Sequence, residues 1–163
     1  IHKNNWILSL EASRELPEAE FGKGPVLRTG DRAFLFDPEL AAISWKVAQE
    51  LEQETRTSST PFLFQRRLMS GGTCEATPLS LFGFPAAGIA VPLRNYHNIG
   101  TDQKPAPEII SLADTERARW FCVELARRVP KKPDWRGTML KEIRKDYRIL
   151  KKQLRFRVSN SEL

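Results

Sequence analysis

The sequence predicts an α/β protein in which helices cover both faces of a mixed sheet, with a basic amphipathic helix added near the C-terminus. Short apolar runs of strand length alternate with segments of helical periodicity along most of the chain, a pattern typical of a sheet packed between helices. With 163 residues, the chain is long enough to bury a core of its own. Its basic residues are concentrated beyond the last of these alternating elements.

The first elements are read from apolar runs and from glycine and proline positions. Residues 6–10 form an apolar run that predicts a strand ending at Glu11. Residues 12–30 are rich in glycine, proline and glutamate, which is typical of a loop. Residues 33–36 predict a short strand.

A helix is predicted to start at Asp37 and Pro38, because aspartate caps a first turn well and proline suits its first position. Residues 61–66 predict the next strand of the core. The apolar face of the helix that starts at Asp37 comprises Leu40, Ile43, Val47 and Leu51.

The middle of the chain predicts a turn, a short helix and a strand. Residues 71–73 (Gly-Gly-Thr) predict a turn, with Thr73 as the cap of a helix over residues 74–82. Residues 83–85 (Gly-Phe-Pro) end that helix, and residues 86–91 predict a buried strand.

Ser111 or Asp114 is predicted to open a second long helix that ends at Val129. Its apolar stripe comprises Ala118, Phe121, Cys122, Leu125 and Ala126. The prolines of residues 130–133 predict a boundary, so that residues 1–129 form the main domain and residues 130–163 a basic helical extension.

The extension accounts for the net positive charge of the chain. Between residues 131 and 157, eleven Lys and Arg residues face three acidic ones, so this stretch has a charge of +8 and the remainder −2, for a total of +6. Two readings stay open: a helix packed on the body or on a second copy, or one that contacts phosphates or an anionic surface. The helix is predicted over about 20 residues, within 134–157, from the recurrence of Met139, Ile143, Tyr147, Leu150 and Leu154.

Composition excludes several classes of protein. Cys74 and Cys122 are the two cysteines and form no CxxC pair, which favours a reducing, cytoplasmic location over a disulfide framework. No apolar stretch approaches the roughly 20 residues that span a membrane. Because the net positive charge belongs to the extension, the high pI does not indicate nucleic-acid binding by the main domain.

Glu11 and His97 are the candidate metal ligands. Each follows a predicted strand, and parallel neighbouring strands would bring both side chains to one crevice at the edge of the sheet. Carboxylate and imidazole suit zinc, but a catalytic zinc site usually has three protein ligands. A hydrogen-bonded histidine and a solvated glutamate at strand ends are the simpler readings. For residues 71–73 the simpler reading is a plain turn, because the lysine of a P-loop is missing.

Several segments also occur in a characteristic order: Leu10-Glu11, residues 22–27 (GKGPVL) with Gly30-Asp31, residues 71–73, residues 83–92 (GFPAAGIAVP) and His97. Together they resemble the C-terminal half of the catalytic domain in the glutamyl aminopeptidase and endoglucanase-M family. That family consists of dizinc metallopeptidases, tetrahedral aminopeptidases that form large self-compartmentalised assemblies. The resemblance covers about residues 5 to 129.

The resemblance implies that Glu11 binds one zinc and His97 the other, in a complete site with two zinc ions for which cobalt or manganese could substitute. The family has Arg-Tyr-x-His where this chain has Arg94-Asn95-Tyr96-His97, so the tyrosine is shifted by one position. Glu108 and Asp114 match acidic positions of the family, but no metal role is assigned to them. The candidates for the substrate pocket are Gly71, Gly72, Thr73, Arg94 and Tyr96.

The family's other ligands and its catalytic glutamate lie upstream of the position of Glu11. We therefore expect a fragment or a separately encoded half of a zinc-dependent metallo-aminopeptidase, which hydrolyses peptides from the N-terminus. The expected partners are a peptide substrate and either the missing N-terminal half or further copies of the chain. On its own, the chain is expected to bind zinc weakly and to be inactive. The alternative is a non-catalytic peptidase-like module that assembles with a partner or an acidic surface through its basic helix.

Overall fold

The computed structural model of the protein describes residues 2, 3, 5–129 and 135–160, with side chains in the last stretch from 137 to 153. The chain divides into two units, Ile1–Pro130 and Lys131–Leu163. The prolines at which a boundary was predicted, residues 130–133, lie outside the described residues.

The described part of the first unit is built on a mixed sheet of five strands in the order β1-β4-β2-β3, with β5 paired to the end of β4. Strand β1 is parallel to β4 and β2 is parallel to β3, whereas β2 and β5 run antiparallel to β4. The predicted mixed α/β sheet is therefore confirmed. The strands are β1 (Ile7–Arg14), β2 (Val26–Asp31), β3 (Gln65–Met69), β4 (Ala86–Arg94) and β5 (Ile109–Ile110).

In the described part of the first unit, three α-helices accompany the sheet, and both long ones begin as predicted. The carboxylate of Asp37 accepts the N–H of Leu40 at 2.7 Å, and the hydroxyl of Ser111 accepts the N–H of Asp114 at 3.2 Å. Such bonds satisfy backbone N–H groups that have no partner inside the first turn. The helices are α1 (Pro38–Thr55), α2 (Ala76–Leu81) and α3 (Leu112–Arg128).

The main core lies between the sheet and helices α1 and α3. Phe62 is fully buried at its centre, stacked 6.2 Å from the Phe121 ring and edge-on to Trp120 at 5.6 Å between ring centroids. Burial of each large apolar side chain contributes about 1.5 to 3 kcal/mol. Ala126, predicted for the apolar stripe of α3, is exposed instead. The other buried members of the core are Leu27, Ile43, Val47, Ala48, Leu51, Ile89, Ala118 and Leu125.

Two strands differ from the prediction because pairing, rather than local pattern, determines them. β1 continues past Glu11 to Arg14, since β4 pairs with it along its whole length, up to Arg14 opposite Leu93. Residues 26–30, predicted as loop, belong to β2 (Val26–Asp31), which pairs with both β3 and β4 and is almost entirely buried.

Residues 33–36 and 61–64 do not form the predicted strands. The Asp31 carboxylate accepts the N–H groups of Ala33 and Phe34 at 2.9 and 3.0 Å, which turns the chain toward α1. The N–H of Phe62 binds the hydroxyl of Thr55 rather than a neighbouring strand, so β3 starts only at Gln65.

Helix α2 starts later than predicted, at Ala76, and Thr73 does not cap it. The carboxylate of Asp31 instead anchors the start of α2 from β2, because it accepts the N–H of Cys74, just before the helix, and the hydroxyl of Thr77 within it. This contact joins residues that are 43 and 46 positions apart, so a local sequence pattern cannot predict it.

The second unit contains helix α4 (Trp135–Asn160), 26 residues against the predicted 20 or so. Its described apolar side chains are exposed, including Leu140, Ile143, Tyr147 and Leu150. Among the described residues, no helix has the length and apolar character needed to cross a membrane.

Candidate functional site

Two adjoining clefts lie where β1 and β4 end, and the predicted site residues line them. A cleft of about 200 Å³ is lined by Glu11 and the turn 71–73, and one of about 630 Å³ by Arg94 and His97. Arg14 and Tyr96 line both clefts and so form their common wall. The carboxyl ends of strands are where α/β sheets usually bind ligands.

The parallel pairing of β1 and β4 accounts for this placement. Glu11 lies opposite Ala90, and His97 follows the end of β4 by three residues. One part of the prediction is wrong, however. Glu11 does not end its strand, because β1 runs on to Arg14. Glu11 and His97 line the two adjoining clefts that share Arg14 and Tyr96.

Glu11 forms an ion pair with Arg28 of β2, whose side chain is only 3% exposed. Arg28 must cross β4 to reach it, and it does so over Gly88, with which it is paired in the sheet. A Cβ at Gly88 would lie 3.2 Å from the Arg28 side chain and 3.2 Å from the Phe36 ring. The guanidinium also lies 5.7 Å from the centroid of that ring. The absence of a side chain at Gly88 thus leaves room for the Arg28 side chain to pass over β4.

Arg28 is a site residue that sequence reasoning missed. It was not identified because residues 12–30 were predicted to be a loop, in which an arginine side chain is normally solvated. The available signal was the run Pro25-Val26-Leu27 before it, which suits a buried strand.

His97 lies in a strained turn directly after β4. Asn95, His97 and Asn98 all have positive φ, at 55°, 61° and 60°, which costs each non-glycine residue about 1 kcal/mol or more. The Tyr96 ring stacks on the imidazole with 3.9 Å between centroids. Strain of this kind persists only where surrounding contacts impose it.

Those contacts come from the segment before β5. The Glu108 carboxylate accepts the N–H of His97 at 2.8 Å, and the Asn95 side chain donates to the carbonyl of Pro107 at 2.8 Å. Glu108, to which no metal role was assigned, therefore holds the backbone of the histidine. It is a second residue whose part in the site was missed.

Asp114 is engaged in a structural role. Its fully buried carboxylate accepts the N–H groups of Gly22 and Gly24 at 2.7 and 2.9 Å and lies 3.4 Å from Arg117. Gly24 has φ +93°, and a Cβ there would stand 2.0 Å from the carbonyl oxygen of Leu63. The GKGP loop is thus fixed from α3, and its second glycine is sterically required.

The residues predicted for the substrate pocket make ordinary surface contacts. Arg94 pairs with Glu15 at 3.1 Å and lies 4.4 Å from the ring centroid of Phe21, both near the surface. A Cβ at Gly71 or Gly72 would meet nothing within 4 Å, so neither glycine is needed for close packing. The turn 71–73 contributes a wall to the smaller cleft.

The cysteines are free, and neither lines the two clefts. Cys74 is buried, and burial raises the pKa of the Cys122 thiol. A thiol with a raised pKa holds little of the reactive thiolate at neutral pH.

The donor types at the clefts fit zinc only in part. Glu11 offers a carboxylate and His97 an imidazole. Among residues 2, 3, 5–129 and 135–160, however, no group of three His, Cys, Asp or Glu side chains is arranged to hold a metal ion. The described residues therefore supply at most part of a zinc centre.

Comparison with known proteins shows which solved structures share this fold. No protein-family model and no curated protein matches the chain. A TET aminopeptidase from the marine sediment archaeon Thaumarchaeota archaeon SCGC AB-539-E09 superposes with a TM-score of 0.55 and 27% identity, over 78% of this chain and 33% of its own. Aminopeptidase APDkam598 from Desulfurococcus kamchatkensis gives 0.53 and 22%, over 72% and 32%.

The TET1 peptidase of Pyrococcus horikoshii, which can assemble into a tetrahedron or a large octahedral shell, gives a TM-score of 0.55 with 19% identity, over 76% of this chain and 33% of its own. The chain thus spans about a third of the length of these structures. Similarity at this level establishes the fold, which is peptidase-like and shared with TET aminopeptidases.

Proposed function

We propose that this chain contributes part of the active site of a zinc-dependent metallo-aminopeptidase, of the glutamyl aminopeptidase and endoglucanase-M type. The observation that carries the proposal is the pair of adjoining clefts at the ends of β1 and β4, in a fold shared with TET aminopeptidases. They expose a carboxylate and an imidazole on either side of a common wall. The remaining ligands and the catalytic base would come from outside the described residues.

In this proposal, Glu11 and His97 are ligands, and the residues around them position them. Arg28 orients the carboxylate of Glu11 from the buried side, while Glu108 and Tyr96 hold the turn that carries His97. A bound zinc would polarise a peptide carbonyl and acidify a water molecule. The two clefts would receive the ends of a peptide substrate, with Arg94 and the turn 71–73 in their walls.

Zinc binding by the purified chain tests the proposal. We expect weak binding in equilibrium dialysis, because two protein ligands are fewer than a stable site requires. His97→Ala should lower the bound zinc at a fixed free concentration by about tenfold, the scale of losing one good ligand contact. His2→Ala removes the chain's other imidazole and should leave binding unchanged. Equal zinc binding by the parent chain and His97→Ala would contradict the proposal.

Oligomerisation and location complete the proposal. The TET1 peptidase assembles into shells, and we propose that this chain also works in an assembly, with further copies or with a chain that supplies the remaining ligands. The two free cysteines favour a cytoplasmic location.

A second candidate function is a non-catalytic peptidase-like module. The lack of a three-ligand group among the described residues favours it, as do the exposed apolar side chains of α4. Such a module would bind no zinc at all and would assemble through α4. Zinc content therefore distinguishes the two candidates.

A further inference from the structure

Helix α4 carries an exposed apolar stripe with the spacing of a coiled coil. The stripe consists of Leu140, Ile143, Tyr147 and Leu150, which follow one another at intervals of three, four and three residues. Each of these side chains is between 49 and 59% exposed. This spacing is the a/d repeat by which two helices pack side by side. The next step of the repeat falls on position 154, which is leucine in the sequence.

The stripe has basic residues along one side, and an acidic and a neutral residue along the other. On one side, at the e positions, stand Arg144 and Lys151, and on the other, at the g positions, stand Asp146 and Gln153. The ammonium of Lys151 lies 5.7 Å from the centroid of the Tyr147 ring, so it borders the stripe directly. Positions e and g determine which partner and which orientation a coiled coil accepts.

These charges are complementary in a parallel pair of α4 helices but not in an antiparallel pair. In a parallel pair, position g of one helix faces position e of the next heptad in the other, which brings Asp146 opposite Lys151 twice by symmetry. In an antiparallel pair, e faces e, and the basic residues Arg144 and Lys151 would repel one another. We propose that α4 binds α4 of a second copy of this chain as a parallel coiled coil. The interface does not depend on the zinc chemistry proposed above.

Charge reversal tests the pairing in the full chain. Asp146→Lys turns two attractive contacts into two repulsive ones and should raise the dimer dissociation constant about tenfold in sedimentation equilibrium. Adding Lys151→Asp to that variant should restore the parent value to within about threefold. Glu142→Lys makes the same change in charge at position c, away from the seam, and should alter the constant by less than about twofold. Far-UV circular dichroism shows whether each variant keeps its helix.

Three results would overturn the proposal. They are a monomer at all concentrations, equal weakening by Glu142→Lys and Asp146→Lys, and no rescue by the double variant. A fourth result would identify a different binding partner. If the chain stays monomeric but binds vesicles of anionic lipid, and if Glu142→Lys and Asp146→Lys both tighten that binding, then α4 binds an anionic surface instead of a second copy.

Disulfide formation tests the orientation. In a parallel pair, residue 140 stands beside its equivalent in the second copy, so Leu140→Cys should form a disulfide-linked dimer under mild oxidation. In an antiparallel pair, position a faces position d, so Leu140→Cys would instead be joined to Leu150→Cys when the two variants are mixed, which mass-tagged copies reveal. That mixed dimer would overturn the proposal. The parent chain is the control, because burial protects Cys74 and raises the pKa of Cys122.

Discussion

Gly88 leaves room for the Arg28 side chain on its way to Glu11. It lies in the central strand β4 between the two partners, opposite Ser9 on one side and Arg28 on the other. Arg28 would otherwise be a buried cation without a carboxylate, a situation that costs several kcal/mol. The orientation of a candidate metal ligand thus depends on a missing side chain on a neighbouring strand.

Substitution of Gly88 by alanine tests this dependence. The new Cβ would press on the Arg28 side chain and the Phe36 ring, both at 3.2 Å, so we expect the free energy of unfolding to fall by about 1 to 2 kcal/mol. Glu11→Gln should then cost less in the Gly88→Ala background than in the parent, because both changes act through Arg28. Urea unfolding of the four chains measures this coupling.

Gly71→Ala is the matched control for this cycle. A Cβ at Gly71 meets nothing within 4 Å, so the unfolding free energy should change by no more than about 0.5 kcal/mol. Additive effects of Gly88→Ala and Glu11→Gln would show that Gly88 does not act through the ion pair.

At the scale of elements, Asp31 connects the end of β2 to the start of α2. Burial alone raises the pKa of this carboxyl, but the hydroxyl of Thr77 and the N–H groups of Ala33, Cys74 and Phe34 outweigh burial and hold the pKa below its ordinary value of 3.8. A lowered pKa in the folded state stabilises the fold above the ordinary pKa. That stabilisation is lost as the pH falls from about 4 through the lower, folded value.

Replacing Asp31 by asparagine should therefore change how stability depends on pH. The side-chain NH₂ group of asparagine would face backbone N–H groups that now bind a carboxylate oxygen. We therefore expect Asp31→Asn to lower the free energy of unfolding by about 2 to 3 kcal/mol at pH 7. The difference between variant and parent should shrink as the pH falls below 4, where the parent carboxylate is protonated. Urea unfolding between pH 3 and pH 7 measures it. Asp102→Asn, in an exposed ion pair, should cost little, and a pH-independent cost of Asp31→Asn would contradict this account.

Elements fixed by local contacts were predictable from the sequence. Asp37 and Ser111 cap their own helices, and the 3.6-residue periodicity marks the buried faces of α1 and α3. Elements fixed by distant partners were not predictable. β2 is a strand because two other strands pair with it, and α2 begins where the Asp31 carboxylate reaches across from β2.

The same distinction applies to the candidate site. Glu11 and His97 were found through residue type, position after apolar runs, and resemblance to a family. Arg28 and Glu108 contact them from segments 17 and 11 residues away in sequence, where neither periodicity nor a motif marks a partner. The clefts form only once β1 and β4 are paired in parallel, which places their carboxyl ends together.

At the scale of the whole molecule, charge and chemistry are separated along the chain. The stretch 131–157 carries a charge of +8, while the clefts belong to the first unit. The proposed self-association through α4 and the proposed metal binding at the clefts involve different residues, so each can be tested by its own substitution. Asp146→Lys should leave zinc binding unchanged, and His97→Ala should leave the dimer intact.

The chain alone should not hydrolyse peptides. Metal-dependent hydrolysis needs about three protein ligands that leave a position open, together with a base to accept the proton of the water. The described residues contain Glu11 and His97 but no three-ligand group. Release of the amine from aminoacyl anilides should therefore stay at the buffer rate, with or without added zinc. A TET aminopeptidase assayed in parallel is the positive control. Turnover that a chelator abolishes and His97→Ala removes would mean that this chain holds a complete centre.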